Sequence, residues 1–477
     1  MRRSLLAAVS GRFAGVALQV LGALVIARLL APAEFGLFGI ASSVIAISGS
    51  LREFGVTSYL IRLDTIDRTA LGRALAFTMS VSLAAGAAIF LARHAIAAFF
   101  HAPELAPLIA VLCLNFALVP PSIGATAVMH RHLRFGALNL MQLGTTLLTI
   151  AATLAMAASG LGPLSLALGQ VLQAALLLTA LALWDWRSVL VLPVFTGMGA
   201  MLRFGSFAAL ASLANELGGY VTSLILGRLL GPTAVGLYDR GNGLFVSLAN
   251  DVVGAIGHVL FVGLSRLRDD AAAFTRLLLH ALRNLTAIAW PGFLLIATLA
   301  HPLMAVMFGP AWQASVPVLQ ILCLSGLLTS GTLLYYHSIV AIGATGRILA
   351  IELAGQGTRV LAILALAGFG IIGAAWASVL AMAALLLLYL AAMRRTLHTR
   401  RRDILPIYAE SLAIALVTAT PAGLLMLLAP PGLPDIILLA LGGTLGLVTW
   451  LGTILATSHP LAGELRSAVG QIKVKLK

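Results

Sequence analysis

Between scattered charges, prolines and glycines, this 477-residue chain is written in apolar runs of about twenty residues, the length that crosses the ~30 Å hydrocarbon core of a bilayer as one helix. Inside that core no water is present to satisfy a backbone N–H or C=O, so a spanning segment must be a helix or part of a closed barrel. Unbroken apolar runs select helices. About 14 spans are expected, near 13–31, 37–60, 71–92, 105–128, 136–158, 162–184, 203–230, 234–262, 285–308, 316–342, 347–367, 371–393, 405–428 and 434–456. A hydrophobic share of 60% and a mean hydropathy of +1.04 exceed what a dispersed soluble domain carries. The chain reads as an all-α integral membrane protein.

The formal charge of +14 is a topology signal. With the N-terminus placed in the cytoplasm, the basic groups at Arg2 and Arg3, Arg62 to Arg73, Arg266 to Arg283, Arg394 to Arg402 and Lys473 to Lys477 all fall on one side. The opposite loops keep Arg93. An even number of spans with both termini cytoplasmic is therefore expected, and nucleic-acid binding is not needed to explain the charge. The opening stretch, basic and then apolar, is interrupted by Arg12 and runs straight into the next span, so it is expected to be an uncleaved first helix. Cys113 and Cys323 lie in apolar runs, and no disulfide is expected.

A repeat organises the runs. The stretch RLLAPAEFGLF, Arg28 to Phe38, returns 200 positions later as RLLGPTAVGLY, Arg228 to Tyr238. Pro107 and Cys113 recur as Pro317 and Cys323, and Gly162 and Val171 as Gly370 and Val379. These matches, in order, describe a six-helix unit duplicated. Because six is even, both copies enter from the same side, a parallel repeat about an axis along the membrane normal. The expected domains are an N-terminal lobe over 1–200, a second lobe over 201–400, and two extra helices with a basic tail over 401–477. Pro32 and Pro232 stop the first helix of each lobe, and Gly36 and Gly236 let the chain turn back. Arg28 and Arg228, a turn inside each stop, either snorkel to the outer interface or bind a ligand.

An ion at the bilayer centre costs about 2.5 to 3.5 kcal/mol, so embedded polar residues turn to the bundle interior or to water. They gather on the symmetry-related spans: Arg28; Arg52 and Glu53; Asn215, Glu216 and Arg228; Asp239, Arg240, Asn242 and Asp251. Glu352, Gln356 and Arg359 form one further helical stripe. The last two spans hold essentially no embedded charge. Two readings stand beside each other. Arg52 with Glu53, Arg240 with Asp239 and Arg359 with Glu352 are internal ion pairs, or the set lines a net-basic cavity between the lobes. Arg28, Arg52, Arg228, Arg240, Arg359, Asn215 and Asn242 are the candidate contacts for an anionic headgroup. Glu216, Asp251, Glu53 and Asp239 are the candidates for coupling to a proton or sodium ion.

Several functions are excluded or disfavoured. Every lysine lies after residue 472, so no Gly-Lys-Ser/Thr phosphate loop exists and ATP is not bound that way. The outer loops hold Glu34, Glu104 and Asp435 as acids, too little for a membrane glycosyltransferase or polymerase. Neither an enzyme, a cofactor nor a metal site is expected.

The segments ARLLAPAEFGLFGIASSVIAISGSLREFGV and GRLLGPTAVGLYDRGNGLF, with the duplicated six-span layout and two extra helices, resemble the polysaccharide transporter (Wzx-type) branch of the multidrug/oligosaccharidyl-lipid/polysaccharide flippases. The resemblance implies a two-lobed, MATE-like helical bundle in the bacterial inner membrane that moves an undecaprenyl-pyrophosphate-linked oligosaccharide to the outer leaflet by alternating access. It also implies membrane lipids, a polysaccharide polymerase and a chain-length regulator as partners. Guanidinium forks suit a pyrophosphate, which they bind in bidentate fashion. A cation-coupled multidrug exporter and a lipid II flippase are the alternatives, the first favouring an acid-rich cavity that this chain lacks.

Overall fold

The computed structural model describes residues 22–53, 67–196, 216–249, 255–397 except 268 and 344, and 401–463 except 431 and 458, with single positions 18, 56 and 60. Among these residues the chain is helical, without strands. Among the described residues nine helical segments are long and apolar enough to cross a membrane, ten when a bent pair counts as one. One of the nine, Gly346–Arg394, is too long for a single crossing: 49 residues would reach about 74 Å. A short 3-10 turn at Ala367–Phe369 and Gly370 at φ +70° break it into two helices, Thr345–Leu366 and Gly370–Leu397, that pack side by side. The expected first, second, seventh and eighth spans fall partly outside the described residues.

Local chemistry sets the helix starts. Asp67 caps Arg68–Phe99 by accepting from the Ala70 N–H at 2.7 Å, and Asp270 caps Ala271–Thr298 by accepting from Ala272 and Ala273. Pro32 opens Pro32–Glu53 with its φ preset, and Glu34 reaches back to accept from the Ala31 N–H at 2.7 Å. Two expectations are corrected here. The run over 105–128 is not one straight span: it is Leu105–Leu118 followed by Pro120–Arg131, bent by 46° where Pro120 and Pro121 remove two N–H donors. The ninth helix does not begin at 285 but at Ala271, so Arg276 and Arg283, read as loop charges, are helical.

The chain forms two compact units, Met1–Gly236 and Leu237–Lys477. In the first, the bent segment is the core, with Leu105, Leu108, Ile109, Leu112 and Phe116 essentially without solvent contact. In the second, Val316–Ala341 is central, packed on Ala271–Thr298 and Gly370–Leu397. Large apolar side chains on the perimeter of each unit stand open, Leu183 at 84% and Leu427 at 82% exposure. Such surfaces fit hydrocarbon and not water.

The last two helices are fastened to the second unit by more than apolar contact. Arg283 donates from Nε and Nη2 to the two carboxylate oxygens of Glu410 at 2.8 and 2.7 Å. Thr286 bonds Ser411, Trp290 stacks on Tyr408, and Trp450 donates to the Ala287 carbonyl at 2.8 Å. The expectation that these two spans carry essentially no embedded charge is therefore corrected by Glu410. Its partner is 127 residues away, beyond the reach of any local pattern.

Candidate functional site

The duplicated hairpin answers its own sequence question first. Within the first unit, a Cβ on Gly36 would overlap the Pro232 carbonyl, and a Cβ on Gly236 would overlap the Pro32 carbonyl. The contact is reciprocal: each copy's glycine lies against the other copy's proline, so the two helix starts are related by a local twofold. Only glycine permits backbones this close. The same contact brings the ends of helical residues 22–29 and 216–230 to one end of the bundle, and with them Arg28 and Arg228.

Arg28 is exposed at the end of its helix. Arg228 is also exposed, and its guanidinium lies over the Phe99 ring at 5.2 Å with Nη1 3.0 Å from His101 Nδ1. The neighbouring Gly227 is what allows this, because it seats residues 216–230 against Ile40 and Phe100. Sequence reasoning missed His101.

In the second unit, residues 237–249 of helix Pro232–Ala249 present two faces. Arg240 lies 4.6 Å from the Phe308 ring centre and 4.7 Å from that of Trp312, both rings being buried, and Asp239 is its electrostatic neighbour. Cation–π contact in a desolvated setting contributes about 2 kcal/mol. Tyr238, two positions earlier and so on another side of the helix, bonds Ser378 at 3.0 Å on Gly370–Leu397. Arg359 interacts electrostatically with Tyr238 and Glu352, and Glu352 accepts a 2.5 Å hydrogen bond from the Tyr389 hydroxyl. Three helices thus share one polar cluster of Tyr238, Ser378, Glu352, Arg359 and Tyr389. Arg240 belongs to a different cluster, on aromatic faces. Glu216 and Asn242 are half-buried. Asn215, Asp251 and Arg12 lie outside the described residues, as do the side chains of Arg52 and Glu53.

The first unit adds a small polar group that the sequence reading did not single out: Gln173 accepts from Thr149 at 2.7 Å and donates to Thr145 at 3.1 Å. No arrangement of three or more His, Cys, Asp or Glu fit for a metal ion occurs among the described residues. The second unit also holds an apolar cavity of about 390 Å³ beside the last two helices, lined by Leu248, Ile296, Thr418, Gly446, Leu447 and Trp450 among others.

The fold is that of the lipid II flippase MurJ in an inward closed conformation, with a TM-score of 0.79 over 97% of this chain and 100% of that one, at 13% identity. In sequence the chain is 26% identical over 309 residues to the lipopolysaccharide biosynthesis protein WzxC of Escherichia coli (strain K12), covering 64% of this chain and 63% of that protein. It is 27% identical over 348 residues to the succinoglycan biosynthesis transport protein ExoT of Rhizobium meliloti (strain 1021), covering 68% and 69%. The profile of one family, described as polysaccharide biosynthesis protein, matches residues 25–317, and the chain belongs to that family.

Proposed function

We propose that this chain is a flippase that carries an undecaprenyl-pyrophosphate-linked oligosaccharide across the bacterial inner membrane for surface polysaccharide synthesis. The observation that carries this reading is Arg240, an arginine within a helix of the second unit held on the faces of Phe308 and Trp312. Aromatic faces hold a guanidinium in place without removing its charge. A pyrophosphate is the natural complement, since the guanidinium fork meets phosphate oxygens in pairs. Family membership and the name of ExoT, a biosynthesis transport protein, support a polysaccharide precursor as cargo.

In this account Arg28, Arg52, Arg228, Arg240, Arg359, Asn215 and Asn242 meet the anionic headgroup at successive points of its path, with Arg28 and Arg228 on the outer side. Glu216, Asp251, Glu53 and Asp239 are the acids through which a proton or sodium gradient drives the cycle. The last two helices guide the prenyl tail in this reading, which the apolar cavity beside them supports. A polymerase and a chain-length regulator receive the product outside, and both termini lie in the cytoplasm.

Reconstitution tests the cargo. Proteoliposomes holding the full chain and a fluorescent undecaprenyl-pyrophosphate-linked sugar should expose that sugar to an external lectin well above protein-free vesicles. Transport of a cationic dye instead, with the lipid-linked sugar left in place, would assign the chain to multidrug export.

A further inference from the structure

His101 is the one described titratable side chain whose backbone adopts the left-handed region. It follows the last turn of Arg68–Phe99 with φ +53°, its N–H bonding the Ala98 carbonyl and the Ala102 N–H bonding the Ala97 carbonyl. This is the position after a helix that glycine ordinarily takes, because a Cβ there is disfavoured by roughly 1 to 2 kcal/mol. The second copy of the repeat follows the common solution: after Phe308, which matches Phe100, it has Gly309 at φ +90°. Strain alone decides nothing, since Leu133 is also left-handed. What sets His101 apart is its bond to Arg228 from an element 127 residues away.

The chemistry of that bond is fixed by its partners. A guanidinium has only donors, so His101 Nδ1 must be the acceptor and the imidazole is neutral, with its proton on Nε2. Protonation of Nδ1 removes the acceptor and leaves two cations 3.0 Å apart. That arrangement is repulsive when empty and favourable around a dense anion. Other charged groups on the adjoining elements are turned elsewhere or lack a bond to this pair. Arg93 folds back over Phe90 and bonds its carbonyl, Glu34 caps Ala31, Glu104 precedes Leu105–Leu112, Arg28 is exposed at the end of helical residues 22–29, and His94 and Glu216 complete the set. Among the described residues no carboxylate forms an ion pair with Arg228.

We propose that His101 and Arg228 form a proton-gated seat for a diphosphate group at the hairpin end of the first unit, with Phe99 backing the guanidinium. Neutral His101 parks Arg228 when the seat is empty. A diphosphate draws a proton onto Nδ1, frees the guanidinium fork, and is held by both cations. The inference rests on the flippase reading, in which a lipid diphosphate passes this end, and adds to it a residue and a proton dependence.

The test uses the full chain in nanodiscs of phosphatidylcholine, with undecaprenyl diphosphate lacking any sugar as the probe, at about pH 8 and about pH 5, either side of the ordinary imidazole range. His101→Asn keeps an acceptor near the Nδ1 position, tolerates the left-handed backbone and cannot be protonated, so it reports the probe's own titration. Wild type should gain roughly tenfold more affinity than His101→Asn on acidification, and Arg228→Ala should lose roughly tenfold at both pH values. His101→Gly, which relieves the backbone, should melt no lower than wild type and show the same pH response as His101→Asn.

Equal pH responses in wild type and His101→Asn, or an Arg228→Ala affinity equal to wild type, overturn the seat. Undecaprenyl monophosphate binding as tightly as the diphosphate overturns the assignment to diphosphate. Inorganic pyrophosphate displacing the lipid at matching concentration supports the seat and makes a free diphosphate its ligand, whereas failure to compete supports the lipid headgroup. Absence of any binding at either pH removes the flippase reading along with the seat, while binding without the His101-dependent response removes the seat alone.

Discussion

Residues 32–40 and 232–240 are two copies of one hairpin start, and they agree where backbone meets backbone and part where side chains begin. Pro32 and Gly36 match Pro232 and Gly236, each glycine pressed on the other copy's proline carbonyl. Beyond them, Phe38, Gly39 and Ile40 stand where the second copy has Tyr238, Asp239 and Arg240. Ile40 has no solvent exposure and packs on Gly227. Arg240 rests on two aromatic rings, and Tyr238 ties its helix to Ser378. Duplication supplied a frame that must stay self-complementary, because both copies touch across it, and left side-chain chemistry free to diverge. The second copy took the cation, Arg240, while the first keeps Glu34 at its helix start.

The most damaging way to attack the comparison is at the shared frame. Gly36→Ala and Gly236→Ala should each destabilise the protein by roughly 3 kcal/mol, since a methyl would enter occupied backbone space. Because the contact is reciprocal, the two losses should be similar and the double variant less than additive. Thermal unfolding by tryptophan fluorescence measures this, and a large loss from one glycine with none from the other would break the twofold account. Next comes the apolar copy. Ile40→Ala should cost about 2 to 4 kcal/mol of stability through the cavity it leaves, while export per folded molecule stays near wild type. The smallest effect belongs to Tyr238→Phe, which removes one hydroxyl bond to Ser378 and should cost about 1 kcal/mol. A neutral result in the melting curve would show that the polar cluster does not hold those three helices together.

How far the sequence could be read follows the same division. Apolar runs report their own helices and a repeated proline reports a repeated helix start, so the fold class was legible from local spacing; Gly36 and Gly236, expected to let the chain turn back, are instead helical and permit the close backbone contact between the two copies. Pairings across long separations were not. Arg283 reads as one of a group of loop charges, and Glu410 as a lone acid between Ala409 and Ser411, until Ala271–Thr298 and Arg401–Leu428 are packed together. His101 carries a faint signal in hindsight: the second copy has glycine in the matching turn, and a histidine replacing a turn glycine marks a position where the side chain matters more than backbone ease. Arg240 and Arg359 were both visible as embedded cations. That they sit on different sides of Pro232–Ala249 required the structure, because each is oriented by residues far along the chain, Phe308 and Trp312 for one, Tyr238 for the other.

The central claim is that the second copy's arginine serves an anionic lipid headgroup while the first copy's isoleucine serves only the frame. The most direct measurement is surface polysaccharide in a strain whose own flippase is deleted, complemented with Arg240→Ala, Arg240→Lys, Arg52→Ala and Ile40→Ala at matched membrane expression. The account predicts that both alanine variants of arginine abolish surface glycan, that Arg240→Lys restores part of it by keeping the charge and losing the fork, and that Ile40→Ala exports in proportion to folded protein. Full export by Arg240→Ala and Arg52→Ala would contradict it, and would make both arginines structural.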